Sequence, residues 1–176
     1  MDSKENIVFL GMMGSGKTSI GKLVSKRLGL AFFDIDDHIE THLGMKISKI
    51  FLEKGEIFFR NLEEKITLEI LKKRKVIISL GGGSFLNKRV RKEILSNHLS
   101  FWLNCNSRVL INRIKKSSKR PIASNLTVNE LSDLIKKRSN IYSKALYKVD
   151  CNNLTKNEIV NKIVDIYETN KTDSQN

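Results

Sequence analysis

The sequence predicts an α/β fold: a three-layer α/β/α sandwich around a five-stranded parallel sheet. Three observations lead there. Short apolar runs alternate with segments of helical periodicity along the whole chain. A glycine-rich loop sits between the first such run and the first such segment. No repeat or linker divides the 176 residues, a length that one domain fills with a sizeable core.

The elements follow in order. Residues 6–10 form a short buried strand, and 17–28 a helix with Ile20, Leu23, Val24 and Leu28 at helical spacing. Residues 31–33 are a second strand. Residues 36–73 read as helical, broken near Gly44 and Gly55. KVIISL, residues 75–80, is a third strand that runs into Gly81, Gly82 and Gly83. No element is assigned to 84–99. Residues 100–103 form a fourth strand and 107–116 a helix. A basic, small-residue loop, SSKRPIASN, holds the sole proline, Pro121, inside a lid of about residues 115–126. Residues 127–145 are helical and 147–150 make the last strand. The last helix, 155–167, opens on a Thr155/Glu158 capping box. Residues 1–169 are expected to be one domain, and 170–176 a polar, disordered tail.

Composition narrows the classes. Hydrophobic residues are 40% and charged residues 29%, a soluble balance, and no apolar run reaches membrane-span length. The polar start MDSKEN does not read as a signal peptide, so a cytoplasmic location is expected. Cys105 and Cys151 are too few for a disulfide framework and read as buried thiols. The net charge of +13 comes in short basic runs without interleaved aromatics. That pattern reads as solvated helix faces whose field draws in small anions; no nucleic-acid partner is expected.

Phe9 to Thr18 reads FLGMMGSGKT and carries the chemistry. Gly11, Gly16, Lys17 and Thr18 complete the pattern G-x-x-x-x-G-K-T between a strand and a helix, the context a phosphate-binding loop requires. Its amides face phosphates at a helix N-terminus. Lys17 bridges the β- and γ-phosphates, and Thr18 offers a hydroxyl to Mg²⁺. Gly14, Ser15 and Ser19 complete the candidate ATP ligands. Most such loops work with an aspartate after a buried strand, and KVIISL ends without one. The candidates are Asp34 and Asp36, which share one side of an extended chain while Ile35 packs behind. One carboxylate near Mg²⁺ and one near an acceptor hydroxyl is what phosphoryl transfer asks for. Asp37 is the expected cap of the next helix.

Other classes fail. The guanine-reading NKxD is absent, since residues 161–165 read NKIVD. Gly81 to Phe85 lacks the spacing of GxGxxG, and His38 to His42 is not HExxH.

GMMGSGKT, FFDIDD, GEIFFRNLEE, SLGGG, the KRP loop and Arg138-x-x-x-Tyr142 occur in the order found in the shikimate kinase family, which the chain resembles over about residues 6–167. The family is P-loop and related to the nucleoside monophosphate kinases. The resemblance implies ATP and shikimate as substrates and Mg²⁺ as cofactor; a monomer is expected. It makes Asp36 the group that binds ring hydroxyls and takes the proton, and Asp34 the one that orders the Mg²⁺ water shell. Arg60 and Arg138 become the pair for the substrate carboxylate, Gly82 and Gly83 line the ring, Arg120 reaches the transferred phosphoryl group, and Arg113 stacks on adenine. A planar guanidinium pair suits a carboxylate on physical grounds alone. The chain departs from the family at Lys49, Asn140, Ser143 and Lys144 and in the RPIAS lid. Two rivals remain: a gluconate or other small-metabolite kinase of this fold, and a non-catalytic basic nucleotide-binding regulator.

Overall fold

The computed structural model describes residues 6–116, Ala123 and 125–173. Five parallel strands are β1 (Ile7–Leu10), β2 (Ala31–Asp34), β3 (Val76–Ser79), β4 (Leu99–Asn104) and β5 (Tyr147–Asp150), in the order β2-β3-β1-β4-β5. The described helices are α1 (Lys17–Leu28), α2 (Ile35–Leu43), α3 (Ile47–Leu71), α4 (Lys88–Asn97), α5 (Ser107–Lys115), α6 (Val128–Tyr142) and α7 (Lys156–Asp173), with a 3-10 turn at Ser84–Leu86.

The central strand explains the layering. All four residues of β1 are buried, as an interior parallel strand covered on both sides must be. Ile7 and Phe9 face α1 and α7, meeting Val24 and Ile163. Val8 and Leu10 face the larger layer made by α2 to α6, with Ile39, Phe59, Ile94 and Leu131 in one core. Register is tight, Val8 pairing with Ile78 on one side and Ser100 on the other. β1 therefore has β3 and β4 as neighbours, and the order in which strands are laid down reverses there. A crevice opens above such a switch point, at the carboxyl ends of the strands.

Asn6 pins the entry to this strand. Its buried side chain donates to Leu71 O (3.0 Å) and Lys73 O (2.7 Å) and accepts from Val76 N (3.1 Å), tying β1 to the α3–β3 connection.

Four expectations need correction. Asp34, not Asp37, caps α2: its Oδ1 accepts from Asp36 N (3.1 Å) and Asp37 N (3.4 Å). The chain is consequently helical from Ile35, so Asp36 stands in a first turn and not on an extended strand. Residues 84–99 are not featureless, because Asn87 caps α4 and places Val90 and Ile94 in the core. Residues 170–173 are not a disordered tail, since α7 runs to Asp173 and Asn170 Nδ2 donates to Tyr147 Oη (2.9 Å). The breaks at Gly44 and Gly55 are present, Gly55 (φ 81°) dividing α3.

Candidate active site

The loop after β1 wraps the crevice. Gly16 takes φ 93° as the N-cap of α1, a left-handed conformation glycine adopts without steric cost. Lys17 is buried, its ammonium donating to Gly11 O (3.0 Å) and Met12 O (3.1 Å). Thr18 Oγ1 donates to Asp34 Oδ2 at 2.6 Å, so the loop and the end of β2 are joined by one hydrogen bond. A cavity of about 910 Å³ lies here, lined by Lys17, Thr18, Asp34, Asp36, Arg113 and Leu154. Gly14, Ser15, Gly16 and Ser19 also line it. Arg113 Nη1 donates to Gly14 O (2.8 Å), holding an exposed guanidinium across the loop.

Beyond Asp36 the chain makes the turn Gly81–Gly82–Gly83, with Asp36 Oδ1 close to Gly81. A Cβ on Gly81 would meet Glu63 Oε1 and sit 2.6 Å from Asp36 Oδ1, and one on Gly83 would displace the Arg60 guanidinium. Arg60 reaches this turn from α3, and Arg138 from α6, where its Nη1 donates to Gly82 O (3.4 Å). Arg138 Nε is buried without a hydrogen-bond partner. Such an orphaned donor in a charged group is a place for an anion.

Arg60 is held in place by its own helix. Nη1 donates to Glu63 Oε2 (2.7 Å) and Nε to Glu56 Oε1 (3.2 Å), while the rings of Phe51 and Phe59 flank it at 5.9 and 5.1 Å. Burial works against its charge, but Glu63 and Glu56 outweigh that and raise its pKa. Glu63 is almost wholly buried and also accepts from Ser84 Oγ (2.6 Å), so one carboxylate fixes both Arg60 and the end of the glycine turn.

Most predicted residues thus fall around the cavity or the glycine turn beside it. Asp34 and Asp36 both line the cavity although the reason differs: the cap on α2, not strand alternation, turns both inward. Arg120 lies outside the described residues. Cys105 and Cys151 are half-buried and line the first cavity, not the core interior. Asn140 sits inside α6, and Lys49 pairs with Glu53 (3.5 Å). Two contributors stand in the quoted motifs without an assigned role. Glu63 stands three residues after Arg60, a helical ion-pair spacing that could have exposed it. Tyr142 stands four after Arg138 on the same face and donates to Gly82 O (2.5 Å).

A phosphate cradle beside a glycine turn on which two arginines converge defines a P-loop kinase with a small acceptor. Comparison with known proteins narrows the class. Residues 13–168 match the family model for shikimate kinase. Shikimate kinase from Thermodesulfovibrio yellowstonii is 39% identical over 93% of this chain and 95% of its own, and that from Bacillus subtilis is 41% identical over 92% and 88%. The chain belongs to the shikimate kinase family. Shikimate kinase from Acinetobacter baumannii, solved in complex with shikimate, superposes with a TM-score of 0.88 at 27% identity, covering 97% of this chain and 96% of that one. A gluconokinase from Sinorhizobium meliloti, at TM-score 0.55 and 16% identity, shares the fold alone.

Proposed function

We propose that this chain transfers the γ-phosphoryl group of ATP to the 3-hydroxyl of shikimate. The observation that carries the reading is the convergence of Arg60 and Arg138 on one glycine turn beside Asp36, next to a P-loop. Shikimate is a ring with one carboxylate and three hydroxyls. Two guanidinium groups bind the carboxylate, and Asp36 binds the ring hydroxyls and takes the proton of the attacking one. Gly82 and Gly83 let the ring approach the backbone. The loop amides from Gly11 to Ser19 and the Lys17 ammonium hold the phosphates in line, and Arg113 covers the adenine. Arg120, from the lid, closes on the group in flight and excludes water.

The Thr18 hydroxyl and the Asp34 carboxylate, 2.6 Å apart, are hard oxygen donors that suit Mg²⁺, with Asp34 acting through water. Bound there, the ion would neutralise the β- and γ-phosphate oxygens. The reading takes the chain as a monomer in the cytoplasm, acting without nucleic acid or membrane; among the described residues no helix is long and apolar enough to cross one.

A coupled assay for ADP decides the matter. Shikimate should raise ADP release well above background, and gluconate should not. A chain that turns over gluconate faster belongs to the rival reading, and one that turns over neither while binding nucleic acid belongs to the regulator reading. Arg60→Ala should raise the KM for shikimate about 10–100-fold, the loss of a charge-assisted hydrogen bond, with ADP affinity unchanged.

A further inference from the structure

Phosphoryl transfer makes no use of two thiols that the carboxyl ends of β4 and β5 bring together. Asn104 and Asp150 are register partners, and Cys151 N donates to Asn104 O (2.8 Å), so Cys105 and Cys151 leave the sheet side by side. Neighbouring strands lie about 4.8 Å apart, within the roughly 4.4–6.8 Å Cα separation that a disulfide spans. Both thiols line the nucleotide cavity, where small reagents reach them. Cys105 Sγ also donates to Ser15 O (3.5 Å), so one of the two sulfurs touches the phosphate loop itself.

The pair is chemically unequal. The Cys151 thiol beside it, followed by the Arg113 and Lys17 cations, outweighs burial and Asp150 and brings Cys105 down to about 7. Cys151 is pushed up by Cys105 and by burial. One sulfur is nucleophilic near neutral pH and the other keeps its proton, which is the division between an attacking and a resolving thiol.

We infer that Cys105 and Cys151 form an oxidisable dithiol, a modification site for hydroperoxides, whose disulfide pulls Cys105 off the phosphate loop and weakens nucleotide binding. The Cys105 thiolate attacks one peroxide oxygen, the O–O bond breaks, and Cys105 becomes a sulfenic acid as the other oxygen leaves as hydroxide or alkoxide. That anion takes up the proton the thiol released and becomes water or an alcohol. Cys151 then attacks the Cys105 sulfur, and the S–O bond breaks as water leaves with the Cys151 proton. Two electrons pass from the sulfurs to the peroxide. A Cys105 sulfur bonded to Cys151 no longer rests against Ser15 O, and the loop loses that contact. The effect on binding rests on the cavity being the nucleotide site, but not on which acceptor is used.

The test takes the purified full chain, reduced or treated with hydrogen peroxide. Intact mass without reductant should fall by two hydrogens, and peptide mapping should join Cys105 to Cys151. ADP affinity, measured by calorimetry, should fall about tenfold for a loop misplaced on this scale, and recover with dithiothreitol. Cys151→Ser should stop at the sulfenic acid, trapped by dimedone. Iodoacetamide should modify Cys105 at a rate that levels off above about pH 8, one unit past its pKa. Two free thiols after peroxide, a disulfide between two chains, or equal ADP affinity before and after oxidation would each overturn the inference. Failure of ADP to bind even the reduced chain would count against the nucleotide-site reading, leaving the mass measurement to judge the dithiol.

Discussion

Asp34 uses its two oxygens for two different tasks. Oδ2 accepts from Thr18 in the phosphate loop, and Oδ1 accepts from two amides at the start of α2. Substitution can separate them. Asparagine caps a helix about as well as aspartate, so Asp34→Asn should leave stability within about 0.5 kcal/mol. It removes the negative charge, however, and should lower kcat about tenfold or more while raising the Mg²⁺ concentration needed for half-maximal rate. Asp34→Ala should lose both functions, with a further stability loss of about 1 kcal/mol for the missing cap. Chemical unfolding together with a Mg²⁺ titration of the rate checks both variants. If Asp34→Asn keeps the wild-type Mg²⁺ dependence, the carboxylate is only a cap.

Between elements, the glycine turn after β3 acts as a shared surface for α3 and α6. Gly83 has φ −104°, which any residue adopts, so Gly83→Ala meets no backbone strain. The new methyl group instead falls on the Arg60 guanidinium, whose flexible end must move. The KM for shikimate should rise about tenfold while stability stays within about 1 kcal/mol, since no core packing is touched. Steady-state kinetics with a melting curve tests this; an unchanged KM would mean that Arg60 is not seated by the turn. The strands were legible in the sequence because interior parallel strands are continuous apolar runs, as in IVFL and VIIS. α4 was not, since KRVRKEILSN shows two core residues, Val90 and Ile94, among many charges. The P-loop was legible from spacing alone. Glu63 was not, because a carboxylate in a charged helix reads as solvated until its burial is seen. The same blindness hid the cap: Asp34 and Asp37 are equivalent in the sequence, and only the direction of the backbone after β2 chooses between them.

Across the whole molecule, the sheet brings together groups that are remote in sequence, and the two arginines test whether that assembly is functional. Arg60 rides on α3 and Arg138 on α6, with the turn at Gly81 to Gly83 between them. Each has a different local anchor: Arg60 has Glu63 and Glu56, while Arg138 keeps one buried donor without a partner. If both grip one carboxylate, removing either should cost about 1.5–3 kcal/mol of shikimate binding. Removing both should cost less than the sum, because the second guanidinium is worth less once the carboxylate can turn away from its intended seat. Sites that share no ligand instead add to within about 0.5 kcal/mol. A double-mutant cycle of Arg60→Ala and Arg138→Ala, read as shikimate affinity by calorimetry, gives the coupling directly. ADP affinity measured on the same four proteins guards against general misfolding and should stay constant. A coupling beyond about 0.5 kcal/mol puts both cations on one acceptor group, whereas strict additivity would assign Arg138 to the turn itself, through Gly82 O, and leave Arg60 alone with the substrate.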